Sequence, residues 1–129
     1  MKKKITILTF IAAVLSIIFF FFYMHSSMDA ASIVRKLQGI RLSAQFFKNS
    51  MKRMPNDFSE VVQAKNLEGV PKIKLKWHFA STKILLRNDF IIENTGTWVY
   101  VNNPKSSFFG TVFIDSSLKD EKGRYWSDF

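Results

Sequence analysis

The chain has 129 residues, a formal charge of +9, 47% hydrophobic residues and no cysteine. The missing cysteine excludes disulfides, thiolate nucleophiles and thiolate metal sites. Three of the positive charges precede the first apolar run, leaving +6 for about 105 further residues, enough for one small domain and too few for two.

Lys2, Lys3 and Lys4 are followed by Ile5 to Tyr23, a run without a charged residue. As a helix of about 19 residues it reaches about 28 Å, close to the thickness of a bilayer's hydrocarbon core. In lipid the backbone of such a run can satisfy its polar groups only as a helix. The lysines favour the cytoplasmic side, which places the chain from His25 onward outside. Lys2, Lys3, Lys4, Ile5, Phe10 and Tyr23 mark the anchor and its two ends. A cleaved secretory signal would have a shorter apolar region followed by small residues in an A-x-A-like site. His25-Ser26-Ser27-Met28-Asp29-Ala30-Ala31 offers no clean site of that kind, so the reading is a retained anchor.

From Ala30 the apolar positions Ile33, Leu37, Ile40, Ala44, Phe47, Met51 and Met54 follow in steps of three and four, the seam of an amphipathic helix. Pro55 ends it. Nothing between Tyr23 and Ala30 forces a break, so a single helix of about 50 residues, half in lipid and half in water, is predicted. Asn56 or Asp57 then caps a short helix through Val61 and Val62 to about Lys65. Gly69 and Pro71 mark a loop.

Ile73 to Phe79 alternates strictly, with Ile73, Leu75, Trp77 and Phe79 on one face, and is the strongest strand candidate in the chain. Lys72, Lys74 and Lys76 would line its other face, a row able to meet phosphates of nucleic acid or lipid headgroups. The preferred reading of that row is a solvated face or a protected sheet edge. Further strands are predicted at Ile84–Leu86, Phe90–Glu93, Thr97–Val101 and Thr111–Asp115, with a turn at Asn94-Thr95-Gly96. Trp98 and Tyr100 share one strand face, and Trp126 closes a polar tail; Trp98 and Trp126 are predicted core residues. The result is an α+β fold: a long N-terminal helix, part transmembrane and part amphipathic, packed on a small antiparallel sheet. Its parts are residues 1–24 (lysines and anchor), 25–54 (amphipathic extension) and 55–129 (sheet domain).

His25 and His78, without cysteine, make no zinc set. The chain shows no serine–histidine–acid pattern and no glycine-rich phosphate loop, so catalysis is not expected. Ala12, Ala13 and Ser16 allow close helix approach in lipid. Ile33, Leu37 and Ile40 prolong an apolar stripe into water near the membrane, beyond the expected reach of so small a domain. These six residues are the predicted helix-association surface.

Three regions resemble the type IV pilin and type II secretion pseudopilin superfamily, in its minor or degenerate form. They are the apolar start Ile5-Thr6-Ile7-Leu8-Thr9-Phe10, the helix running into Met54-Pro55-Asn56-Asp57-Phe58, and the ordered C-terminal segments. Those segments are Gly96-Thr97-Trp98-Val99-Tyr100, Gly110-Thr111-Val112-Phe113-Ile114-Asp115, Asp120-Glu121-Lys122-Gly123 and Trp126-Ser127-Asp128-Phe129. The resemblance implies a structural subunit of a filament for secretion, adhesion or DNA uptake. Its partners would be other pilin-like subunits and the assembly machinery of a bacterial inner membrane. It also raises calcium as a ligand of C-terminal acids, with Asp115, Asp120 and Asp128 as candidates and no other cofactor implied. The alternative is a stationary single-pass protein whose external domain binds a partner or ligand.

Lys4 stands where the family's leader peptidase requires glycine, and Thr9 where the family usually has glutamate. Lys4 is therefore expected to prevent processing. Mass spectrometry of the purified protein should find an N-terminus at Met1 or Lys2; a start at Ile5 would refute this.

Overall fold

The computed structural model describes residues 1–129. Helix α1, Lys2–His25, carries the apolar run, and none of its residues is buried. The hydroxyls of Thr6, Thr9 and Ser16 donate to carbonyls one turn back, which lets polar residues sit in an apolar rod without unpaired groups. α1 is long and apolar enough to cross a membrane.

The single continuous helix is not what forms. The chain leaves the helix at Ser26 and re-enters it at Ala30, where α2 (Ala30–Met51) begins. Groups from elsewhere in the fold complete the break. Asp29 caps α2 by accepting the Ser32 N–H at 3.1 Å, the Met28 N–H donates to the Lys74 carbonyl at 2.9 Å, and the Lys74 ammonium donates to the Ser26 carbonyl at 2.8 Å. With those partners in place, interrupting the helix leaves few of its end groups unpaired.

Along α2 the predicted seam holds as far as Phe47: Ile33, Leu37, Ile40, Ala44 and Phe47 are buried, but Met51, its next member, is 52% exposed at the end of the helix, and Met54 is half-buried beyond it. Lys52, in a left-handed conformation, closes the helix. The short helix α3 spans Phe58–Gln63, and the Asp57 carboxylate accepts the N–H groups of Ser59 and Glu60, as its sequence position suggests.

The sheet has three strands, β1 (Ile84–Arg87), β2 (Trp98–Val101) and β3 (Val112–Ile114), in the order β1-β2-β3. β2 and β3 are antiparallel, with Trp98 opposite Ile114, but β1 and β2 are parallel, with Ile84 opposite Trp98. The fold is α+β as expected; the sheet is mixed where an antiparallel one was predicted. The parallel pair arises because residues 88–97 run back along the sheet before β2 begins. Within that return Phe90 and Ile92 form no strand. They cover one sheet face, over Val99, Val101 and Phe113.

The predicted strand at Ile73–Phe79 is also absent. Ile73 makes one isolated bridge to Ser81, and the chain turns at Trp77, whose φ is 64°. The alternation holds for Ile73 and Leu75, both fully buried, and then fails: Trp77 and Phe79 face outward.

The main core lies between the α2 seam and the Trp98/Tyr100 face of the sheet, closed by Val61, Ile73, Leu75 and Trp126. Because a second layer covers the other face, all four residues of β2 are buried. The Trp98 indole N–H donates to the Pro71 carbonyl and the Tyr100 hydroxyl to the Pro55 carbonyl, each at 2.8 Å, so neither ring carries an unpaired polar group into the core. Burial first, and the Glu60 carboxylate second, push the Tyr100 phenol up to about 12. The Arg41 guanidinium reaches across to the carbonyls of Val112 and Phe129 at 2.8 and 2.7 Å, tying α2 to β3 and to the C-terminal turn.

Trp98→Ala and Trp126→Ala should each cost about 3–5 kcal/mol, as for other large aromatic deletions in packed cores. Denaturant titration followed by near-ultraviolet circular dichroism measures this; an unchanged midpoint would show the ring is not packed as described.

Candidate functional site

The lysine row does not form. Lys72 is exposed, and its carbonyl accepts the Lys36 ammonium at 2.9 Å. Lys76 is exposed as well. Lys74 is only 5% exposed. Its ammonium donates to the carbonyls of Ser26 and Leu75, both at 2.8 Å, and lies 4.8 Å from the Tyr23 ring centroid. Burial lowers its pKa. Lys74 is thus a structural tie between the end of α1 and the domain, and the remaining lysines do not share a face with it.

The three calcium candidates are not brought together. Asp115 is fully buried. Its carboxylate accepts the N–H groups of Glu93, Asn94 and Thr95 and the Thr95 hydroxyl, and pairs with Arg87 at 3.2 Å. Burial raises the pKa of this carboxyl, but the Thr95, Glu93 and Arg87 contacts outweigh burial and hold it below the ordinary value. Asp120 accepts the N–H groups of Lys122 and Arg124 and pairs with the Arg124 side chain at 2.6 Å. Asp128 is exposed in the C-terminal turn of one 3₁₀ helix, Trp126–Asp128. No group of three histidine, aspartate or glutamate side chains is placed to hold a metal ion.

The helix-association surface divides. Ala12, Ala13 and Ser16 lie exposed on α1. The Ser16 hydroxyl already donates to the Ala12 carbonyl at 2.8 Å, so it contributes small size rather than a free hydrogen bond. Ile33, Leu37 and Ile40 are all 0% exposed, which corrects their assignment to a partner surface. The domain covers the stripe up to the first turn of α2, where Ile33 shares one core with Ile73 and Leu75.

What α2 does present is its opposite face. Leu42 and Phe46 are 55% and 53% exposed. Four residues apart, they are neighbours on the helix surface. Gln38 and Gly39 lie exposed one turn before them. The i, i+4 spacing of Leu42 and Phe46, off the seam, was the sequence signal for this patch.

A further cluster sits where α1 meets the domain. The Trp77 N–H donates to the Met24 carbonyl at 2.6 Å, and the Ala80 N–H to the Tyr23 hydroxyl at 2.9 Å. The Trp77 ring lies 5.7 Å from that of His25, and the Phe79 ring 6.1 Å from that of Tyr23. Behind this turn the His78 ring packs over Gly96 and bonds the Ser116 hydroxyl at 3.2 Å. A Cβ on Gly96 would lie 2.3 Å from that ring, and Gly96 has a φ of +70°, so both space and backbone require glycine there. Burial, with the Lys74 charge, lowers the His78 pKa.

Comparisons with family models, with curated proteins and with solved structures yield no match to this chain.

Asp115→Ala should cost about 3–5 kcal/mol at neutral pH, because it leaves three N–H groups and the Thr95 hydroxyl without their acceptor and removes the buried one of the two carboxylates that pair with Arg87. The depressed pKa means the native chain holds this stability above the ordinary carboxylate range and loses it as pH falls below about 4. Denaturation of both proteins from neutral to acid pH should show the gap narrowing on acidification; a constant gap would mean the carboxylate is not the source.

Proposed function

We propose that the protein is a pilin-like structural subunit anchored in a bacterial inner membrane, with its lysines cytoplasmic and its domain outside. In this reading an inner-membrane assembly machine draws it into a filament with other pilin-like subunits. The observation that carries the proposal is the division of helical surface. α1 is an apolar rod with no buried residue, and α2 adds an exposed Leu42–Phe46 pair on the face turned away from the core. A domain that covers the α2 seam from Ile33 to Phe47 and touches α1 only at its last turns leaves helix surface for other helices to cover. Small residues at Ala12, Ala13 and Ser16 let backbones approach closely where lipid would otherwise fill the space. The order of helix, sheet and aromatic tail supports the same reading through the sequence resemblance.

The stationary single-pass alternative draws on the bonded junction at Met24, Ser26 and Tyr23, which holds the domain against the end of its anchor. The two readings differ in what touches the helices. Photo-crosslinkers at Ala12, Ser16, Leu42 and Phe46, in membranes of the native host, should trap a second pilin-like chain at positions on both helices. Capture of lipid alone at Ala12 and Ser16, with nothing at Leu42 and Phe46, would favour the stationary protein. Phe46→Ser should change stability by no more than about 0.5 kcal/mol, as for other exposed positions, while abolishing the α2 crosslinks.

A further inference from the structure

We infer that the turn Lys76–Ala80 is a second membrane contact, with Trp77 and Phe79 inserted beside α1 into the headgroup and upper acyl region of the leaflet where α1 ends. The inference rests on α1 spanning a bilayer and is independent of filament assembly.

The apolar run from Ile5 to Tyr23 has little length to spare. At about 28 Å it barely crosses a hydrocarbon core of about 30 Å, so its last turns must lie in lipid. The domain reaches down to those turns. The Phe79 ring lies 6.4 Å from that of Phe20, which sits about 7.5 Å below His25 along the helix. Trp77 closes a groove of about 320 Å³ against Ile18, Phe21, Phe22 and His25. Ile18 is about 10 Å below the helix end. A side chain in contact with these residues shares their depth.

Three properties of the turn fit that place. Trp77 and Phe79 are 48% and 63% exposed, an apolar surface that would be unfavourable in water. Trp77 and Tyr23, on opposite sides of the junction, are of the residue types that settle at a bilayer interface. The turn also has backbone partners within the protein. Three of its five N–H groups, those of Trp77, His78 and Ala80, donate to the Met24 carbonyl, the Leu75 carbonyl and the Tyr23 hydroxyl, so they can leave water without becoming unpaired; those of Lys76 and Phe79 have no protein acceptor and need the hydrated headgroup layer. Trp77 is held at a φ of 64°, a conformation disfavoured for a bulky side chain and maintained by the Met24 bond. The charge around the junction is mixed: Lys76 lies in the turn, with a flexible stem suited to headgroup phosphates, and shares a pocket with His25, Asp120 and Glu121. Depth and backbone pairing, rather than charge, favour insertion.

The full chain, reconstituted in vesicles of phosphatidylcholine and phosphatidylglycerol, tests this directly. The native sequence has no cysteine, so Phe79→Cys provides one labelling site for an environment-sensitive fluorophore. The label should emit blue-shifted light, lose intensity to lipids brominated in the upper acyl chain, and resist aqueous iodide. Independently, Trp77→Phe should remove the lipid-quenchable part of the intrinsic fluorescence, since Trp98 and Trp126 are buried in the core. Iodide quenching without lipid quenching, in chains that still resist alkaline carbonate extraction, would overturn the insertion while leaving the α1 span intact. Capture of a protein rather than lipid by a photo-crosslinker at Phe79 in native membranes would overturn it as well.

Discussion

The packing of the α2 stripe on the Trp98/Tyr100 face of the sheet is the contact on which the rest of the structure depends. Ile33, Leu37, Ile40 and Phe47 supply one side; Trp98, Tyr100, Val112 and Ile114 supply the other. A buried aliphatic or aromatic side chain contributes roughly 1.5–3 kcal/mol on removal from water. Three strands of three or four residues leave a hydrophobic face that must be covered by another layer. Without α2 the strands have nothing to pack on, and without the strands the α2 stripe would lie bare in water. Arg41 locks the pair by bonding the carbonyls of β3 and of the C-terminal residue from the helix.

That contact determines the junction with the membrane. Burying Ile33 at the start of α2 requires Ile73 and Leu75 to lie close by, and the peptide groups between them then face the end of α1. Lys74 cannot reach solvent from that position, so its ammonium takes the Ser26 carbonyl, and its own carbonyl takes the Met28 N–H. The helix break at Ser26–Asp29 is therefore a consequence of core packing, and Asp29 stabilises the restart. The same geometry draws Trp77 and Phe79 down onto the last turns of α1.

The parts legible in the sequence were those governed by period and by local caps. Steps of three and four identified the α2 stripe, Asp57 identified the start of α3, and alternation identified Trp98 with Tyr100 as core residues. The misreadings have a common origin in long-range partners. Alternation at Ile73–Phe79 describes any extended segment with one buried side, and the turn at Trp77 is set by the Met24 carbonyl, distant in sequence. Asp115 lies about 20 residues from the N–H groups it gathers, and no local pattern links them. The parallel pairing of β1 with β2 depends on the path of residues 88–97, which Asp115 holds from below. Two missed features had a local signal: the break before Ala30, since Asp29 stands three residues before Ser32 as a capping residue does, and the Leu42–Phe46 patch, by its i, i+4 spacing.

Two helices of one chain have thus been given different tasks. α2 turns most of its apolar side to the domain, which leaves Leu42 and Phe46 on the opposite face, and Met51 at the helix end, for contact with anything else. α1 contributes nothing to the core and, except where Trp77 and Phe79 touch its last turns, keeps its circumference for lipid or for other helices. The bonds at Met24, Ser26 and Tyr23 stop the two from pivoting freely. A rod fixed to its domain presents Ala12, Ala13 and Ser16 in a set orientation relative to Leu42 and Phe46. If neighbouring chains pack through both patches, the junction therefore sets the angle between them, and loosening it would disturb assembly without touching either patch.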